Sequence, residues 1–135
     1  MKINITPFEK ALFSLDKALN RASREPGDLE VRDACIQRFE YTFELCIKTI
    51  KRYFEQEMPL SEQVDQLNYR DLIRIAFEAG LIDQTESWFQ YREARNQTSH
   101  AYDEDKAKYV FQVLAGFVQH AQFLLSQLDQ RLRLA

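Results

Sequence analysis

Apolar and polar positions alternate with helical spacing along nearly the whole chain. Phe8, Leu12, Leu15 and Leu19 recur every three or four residues and define one apolar face. Just before them, Thr6 is placed to cap, Pro7 to stand at the first helical position and Glu9 to close a capping box. Ser23 to Asp28 contains Pro26-Gly27 and predicts a turn. A second, longer helix is predicted from about Asp28 to Glu55. Its stripe is Ile36, Phe39, Phe43, Cys46 or Ile47, Ile50 and Phe54. Gln56 to Leu67, with Met58-Pro59, is a polar connection. Asn68 is expected to cap a short helix that turns Leu72, Ile73 and Ala76 inward and stops at Gly80. Thr85 is placed to cap the next helix, which carries Trp88, Tyr91, Arg92 and Arg95 and frays near Asn96. Asp103 caps the last helix, from about Glu104 to Leu134.

That last helix carries two apolar series. One reads Ala107, Phe111, Leu114, Val118, Ala121, Leu125, Leu128, Leu132; the other reads Val110, Leu114, Phe117, Ala121, Leu124, Leu128. Together they form a face wider than one core contact requires. Part of it is therefore expected to meet a second copy of the chain, the alternative being a central helix covered on several sides by its own bundle.

Two long helices, two short ones and a last long one, joined by short connections, predict an all-α, antiparallel four- to five-helix bundle in a single domain over residues 1–135. With only three Gly and three Pro, a turn-rich β-sandwich is excluded. No run of about 18 apolar residues occurs, so no transmembrane helix is expected. The opening MKINITPFEK has no apolar run behind its Lys, which argues against a secretory leader and for a cytoplasmic protein. Cys35 and Cys46 fall on one helix about 16 Å apart, beyond disulfide reach, and are expected as small core or interface residues.

Charge narrows the function. Eighteen basic against 21 acidic residues leave a net charge of −3, not the basic excess of a simple electrostatic nucleic-acid binder. Basic residues do cluster locally: Lys48, Lys51 and Arg52 on the second helix, Arg70 and Arg74 on the third. These are ordinarily solvated, although they could line a phosphate-tracking surface in a dimer. Only two His occur, and there is no closely spaced Cys pair, so no metal motif is present. His120 lies beside the apolar series of the last helix and is expected as a solvated or interface side chain. No glycine-rich phosphate loop or nucleophile elbow appears.

One polar segment, Arg92 to Asp103, concentrates chemistry. Arg95 offers a cationic fork for a phosphate. His100 offers proton transfer near neutral pH. Thr98 and Ser99 add hydroxyls, and Asn96 can orient an oxygen. Tyr102 brings a phenol next to the start of the last helix, an end that can attract an anion.

Arg95-Asn96-Gln97-Thr98-Ser99-His100-Ala101-Tyr102 resembles the Arg-x4-His-x-Tyr motif of HEPN domains. The Arg-Asn start, the Ser-His pair and the Tyr-Asp that follows are similar to the branch of nucleotidyltransferase substrate-binding proteins and HepT-like toxins. The resemblance covers nearly the whole chain. It implies an antiparallel bundle that forms a homodimer, with two motifs facing each other across a composite site. It implies a metal-independent endoribonuclease without cofactor, acting on RNA. Arg95 would bind the scissile phosphate, His100 would serve acid–base or transition-state stabilisation, and Asn96 would support the site. Ser99 and Arg92 would contact substrate. The resemblance also implies a minimal nucleotidyltransferase partner that transfers AMP to Tyr102 and silences the ribonuclease. The other class left open is a non-catalytic subunit that presents a substrate or nucleotide to that enzyme.

Overall fold

A computed structural model describes residues 3–57 and 61–134 of the chain. Among them are five α-helices and no strand: α1 Thr6–Arg24, α2 Leu29–Glu57, α3 Tyr69–Glu78, α4 Glu86–Gln97 and α5 Glu104–Leu134. Short 3-10 turns span Ser61–Gln66 and Thr98–His100. Met58-Pro59, assigned to the connection after the second helix, lies outside the described residues. No described helix is long and apolar enough to cross a membrane.

The helix ends follow local chemistry, with two corrections. Asp28 Oδ1 accepts from the backbone N–H of Glu30 and Val31 and starts α2. Asn68 Oδ1 accepts from Asp71 N at 2.8 Å and starts α3, as expected. Gly80, at φ +79, ends α3: its own N–H bonds back to Phe77 O, and Leu81 N reaches Ala76 O. The capping box at Thr6 does not form. Thr6 is already helical, and its N–H is instead satisfied by Asn4 Oδ1 at 3.0 Å. Thr85 stands at the N-cap of α4 without a side-chain bond, because Gln84 Oε1 has taken the backbone N–H of Ser87.

α1 and α2 form an antiparallel hairpin in which Ser14 faces Arg38 and Tyr41. α2 and α5 lie side by side in the same direction. Arg32 pairs with Glu104 at one end, Phe39 meets Phe117 in the middle, and Arg131 reaches Tyr53 at the other. Two short helices separate the long ones in sequence, which returns the chain to its starting end before α5 begins. Phe117 is the hub, with its ring centroid 4.9 Å from Phe39, 5.3 Å from Tyr91 and 6.0 Å from Trp88. Burying a side chain of this size contributes on the order of 2–3 kcal/mol. The cluster also ties α4, and with it Arg95, to α2 and α5.

The wide apolar face of α5 is consumed inside the chain. Ala107, Val110, Leu114, Phe117, Ala121, Leu124 and Leu128 are fully buried, while Phe111, Leu125 and Leu132 pack partly buried against the same core. Its breadth reflects contact with α1, α2 and α4 together, so it no longer argues for a second copy. Cys35 and Cys46 are free and buried, as expected.

Candidate functional site

The polar segment forms one corner of the bundle. α4 runs one residue past the expected end at Asn96, and a single 3-10 turn carries the chain into α5. Thr98 is the buried anchor of that turn, its hydroxyl donating to Arg95 O at 2.8 Å. Asp103 then caps α5, accepting from the N–H of Asp105 and Lys106. The anion seat expected at that helix end is thus filled by the chain's own carboxylate. Arg32 grips Glu104 with both terminal guanidinium nitrogens, at 2.5 and 3.2 Å. That bond holds the Glu104 carboxyl below its usual range and pins the corner to the start of α2.

Between these fixed points the chemistry-bearing side chains face outward. Ser99 and His100 are exposed. Tyr102 is 86% exposed. Its ring therefore does not pack against the start of α5; it stands edge-on to His100, with centroids 6.2 Å apart at 72°. Neither ring nitrogen of His100 has a hydrogen-bond partner among the described residues.

Arg95 is half-buried one turn beyond Tyr91. Its Nε and Nη2 both donate to Glu44 Oε1, and Nη2 lies 3.8 Å from Glu40. These two carboxylates were not picked out from the sequence. They stand four apart on α2, but which helix that pair faces is a matter of packing. Arg95 consequently divides two depressions along α2. Toward the start of α2 lies a hollow of about 360 Å³ lined by Asp33, Gln37, Glu40, Thr98 and Tyr102. Toward its end lies a groove of about 460 Å³ lined by Phe43, Ile47, Lys48, Lys51 and Arg92, to which Arg95 and Asn96 also belong. Asn96 and Arg92 therefore open onto the groove, while Tyr102 opens onto the hollow.

The second histidine is built differently. His120 is half-buried on α5, with both ring nitrogens facing groups of its own chain. Gln84 Oε1 is occupied by the hydroxyl and N–H of Ser87, so its amide nitrogen faces His120 Nε2 at 3.2 Å. The tautomer that matches these neighbours has its proton on Nδ1, donating to the Tyr91 hydroxyl at 2.5 Å. Burial pushes the Tyr91 phenol up to about 12. Among the described residues no cluster of His, Cys, Asp and Glu could hold a metal ion.

Fold and corner together define a class: a small helical bundle that presents an arginine, a histidine and a tyrosine where its last two helices meet. The chain belongs to the family described as nucleotidyltransferase substrate binding protein like, whose model matches residues 3–130. It is 34% identical over 138 residues to a Haemophilus influenzae protein named Probable ribonuclease HepT, covering 96% of this chain and 94% of that one. Among solved structures it is similar to a Haemophilus influenzae protein described as revealing the fold of a substrate binding domain of a nucleotidyltransferase. There the TM-score is 0.87 and the identity 31%, over 93% of this chain and 99% of that one. A Thermus thermophilus protein superposes with TM-score 0.74 at 30% identity, covering 90% of this chain and 98% of that one.

Proposed function

We propose that this chain is an endoribonuclease that works beside a nucleotidyltransferase and is silenced when AMP is placed on Tyr102. The observation that carries the reading is the outward-facing His100–Tyr102 pair in the turn that directly follows the helix carrying Arg95. The likeness to the HepT protein supports it.

RNA carries its own nucleophile. The 2′-hydroxyl attacks the adjacent phosphorus, the bond to the 5′ oxygen breaks, and a 2′,3′-cyclic phosphate and a 5′-hydroxyl result. The proton lost by the 2′-hydroxyl balances the one gained by the 5′ oxygen. His100, with both nitrogens free, takes or gives that proton. Arg95 holds the phosphate charge as it builds, and the substrate has to displace Glu44 from the guanidinium or share it. Asn96 lies one residue on, and Ser99 precedes the histidine in the same turn. In the silencing step the Tyr102 hydroxyl attacks the α-phosphorus of ATP held by the partner. Pyrophosphate leaves and the phenolic proton is lost. The new phosphodiester sets negative charge and bulk beside His100, against an incoming RNA phosphate.

The decisive experiment is cleavage of single-stranded RNA in excess EDTA. Wild-type protein should cut. His100→Ala and Arg95→Ala should each lose most of the rate, and the double variant little more. Full cleavage by His100→Ala would remove the assignment. With the nucleotidyltransferase and ATP, one AMP mass should appear on Tyr102 and none on Tyr102→Phe.

A second reading, a non-catalytic binding subunit, is favoured by the neutralisation of Arg95 by Glu40 and Glu44. It predicts no cleavage but faster turnover by the partner enzyme. A homodimer also belongs to the proposal, with two copies of the corner brought face to face. Its support is the exposed ring of Tyr102, and sedimentation of a monomer at high concentration would overturn it.

A further inference from the structure

We infer that the groove between α2 and α4 is a nucleotide subsite that holds the residue of single-stranded RNA next to the phosphodiester engaged by Arg95. The inference rests on the ribonuclease reading for the position of the scissile bond, but the groove's own chemistry argues for the occupant. Its floor is apolar, formed by buried Phe43 and Leu72 and half-buried Ile47. Its rim is cationic: Lys48, Lys51, Arg92 and Arg95. The one carboxylate that lines it, Glu44, is already bonded to Arg95. Among the described residues Lys48, Lys51 and Arg92 have no carboxylate partner. In a chain of net charge −3, three cations without a carboxylate partner around one apolar depression are local complementarity to an anionic, partly apolar ligand.

The groove is large enough for a nucleotide. About 460 Å³ lies within the range of roughly 300–1,000 Å³ over which pockets take small organic groups. The Arg92 guanidinium lies 4.7 Å over the Tyr69 ring. Arg92 is exposed, so the face turned away from Tyr69 is open for a base to stack on. Lys48 and Lys51 stand on one side of α2, where they meet phosphate as point charges. Arg95 and Asn96 close the inner end. An RNA strand with one phosphate on Arg95 therefore meets a base platform and two phosphate contacts as it continues toward the end of α2. In the other direction the hollow beside Tyr102 is lined by Asp33 and Glu40, which repel a backbone. The charge along α2 thus gives the strand one side on which to lie.

The test is fluorescence anisotropy with a short labelled single-stranded RNA on the full-length His100→Ala protein, titrated across salt. In that background, Lys48→Ala with Lys51→Ala should weaken binding by roughly tenfold or more and flatten log Kd against log salt by about 1.4, two contacts at about 0.7 each. Lys48→Arg with Lys51→Arg should restore both. Arg92→Ala should weaken binding with little change in salt slope, as expected for lost stacking. Circular dichroism checks that each variant is folded. The groove is overturned if the double lysine variant binds like its parent, or if no RNA binds. It is equally overturned if Arg70→Ala with Arg74→Ala, elsewhere on the surface, costs as much, since general charge would then explain the binding. Lysine-dependent binding of 5′-AMP without binding of RNA would overturn the strand and leave a free-nucleotide site. Wild-type cleavage separates the two claims. An uncut RNA that still binds through Lys48 and Lys51 keeps the groove and removes the ribonuclease. Cleavage indifferent to the lysines does the reverse.

Discussion

The molecule holds two histidine–tyrosine pairs, and they are built for opposite ends. On the flank of the bundle, His120 and Tyr91 are locked: one ring nitrogen faces the Gln84 amide, the other the Tyr91 hydroxyl, and Tyr91 is wedged between Trp88 and Phe117. At the corner, His100 and Tyr102 touch only edge to edge, with both histidine nitrogens and the phenol open to solvent. The residue types are identical, yet the first pair has spent its hydrogen-bonding capacity on the fold and the second has kept it. A histidine is available for proton transfer where the fold leaves its nitrogens unclaimed, and that depends on neighbours, not on the residue.

Exchanging the pairs' fates in experiment breaks or sharpens this contrast. The largest effect is expected at the corner. His100→Ala should lower the RNA cleavage rate by roughly 10²–10⁴-fold while the unfolding midpoint stays at the wild-type value. A matching fall in thermal stability would show that His100, too, is structural.

On the flank the effect should appear in stability instead. His120→Ala leaves the Tyr91 hydroxyl with only its bond to Ser87, and Tyr91→Phe strands the His120 N–H. Each should cost about 1–3 kcal/mol in denaturant unfolding and leave the cleavage rate of the folded protein unchanged.

The raised Tyr91 phenol adds a pH signature. Its folded value of about 12 lies above the ordinary phenol value near 10. Between the two, the folded state therefore holds more protons than the unfolded one. Stability is fully present below about pH 10 and falls as pH rises toward 12. Half-buried Tyr69, raised further by desolvation, acts in the same direction. Urea midpoints across this window should drop for wild type and drop less for Tyr91→Phe. An equal drop would show that the locked pair does not carry the effect.

Gly116→Ala is a finer probe. The added Cβ would lie 3.1 Å from the Tyr91 hydroxyl, whose ring cannot retreat between Trp88 and Phe117. The gain of about 1 kcal/mol from helix propensity should be offset by that crowding. The net stability change should stay within about 1 kcal/mol, with the His120 ring resonances shifted in NMR. The smallest effect belongs to Tyr102→Phe. A side chain 86% exposed should change stability by less than about 0.5 kcal/mol. A larger loss would mean that the corner tyrosine is held after all.

Much of this protein is determined by sequence alone. Periodicity placed all five helices, because apolar residues at spacings of three and four leave a helix as the arrangement that buries them on one side. Asn68, Gly80 and Asp103 marked boundaries correctly because their bonds reach only two to four residues along the chain. Thr6 and Thr85 misled because a neighbour, Asn4 or Gln84, competed for the same backbone groups, and sequence does not rank such rivals. The segment Arg92 to Asp103 was legible as chemistry from its density of polar types. Three things were decided only by tertiary structure. The breadth of the α5 stripe meant burial on several sides, because α1, α2 and α4 all converge on it. The carboxylates that hold Arg95 came from α2, about fifty residues away in sequence. The roles of the two histidines parted because one landed against Gln84 and Tyr91 and the other on an open corner. Capping and periodicity act along the chain and can be read from it; which polar groups are satisfied depends on which helix faces which, and that is set by how the apolar stripes pack.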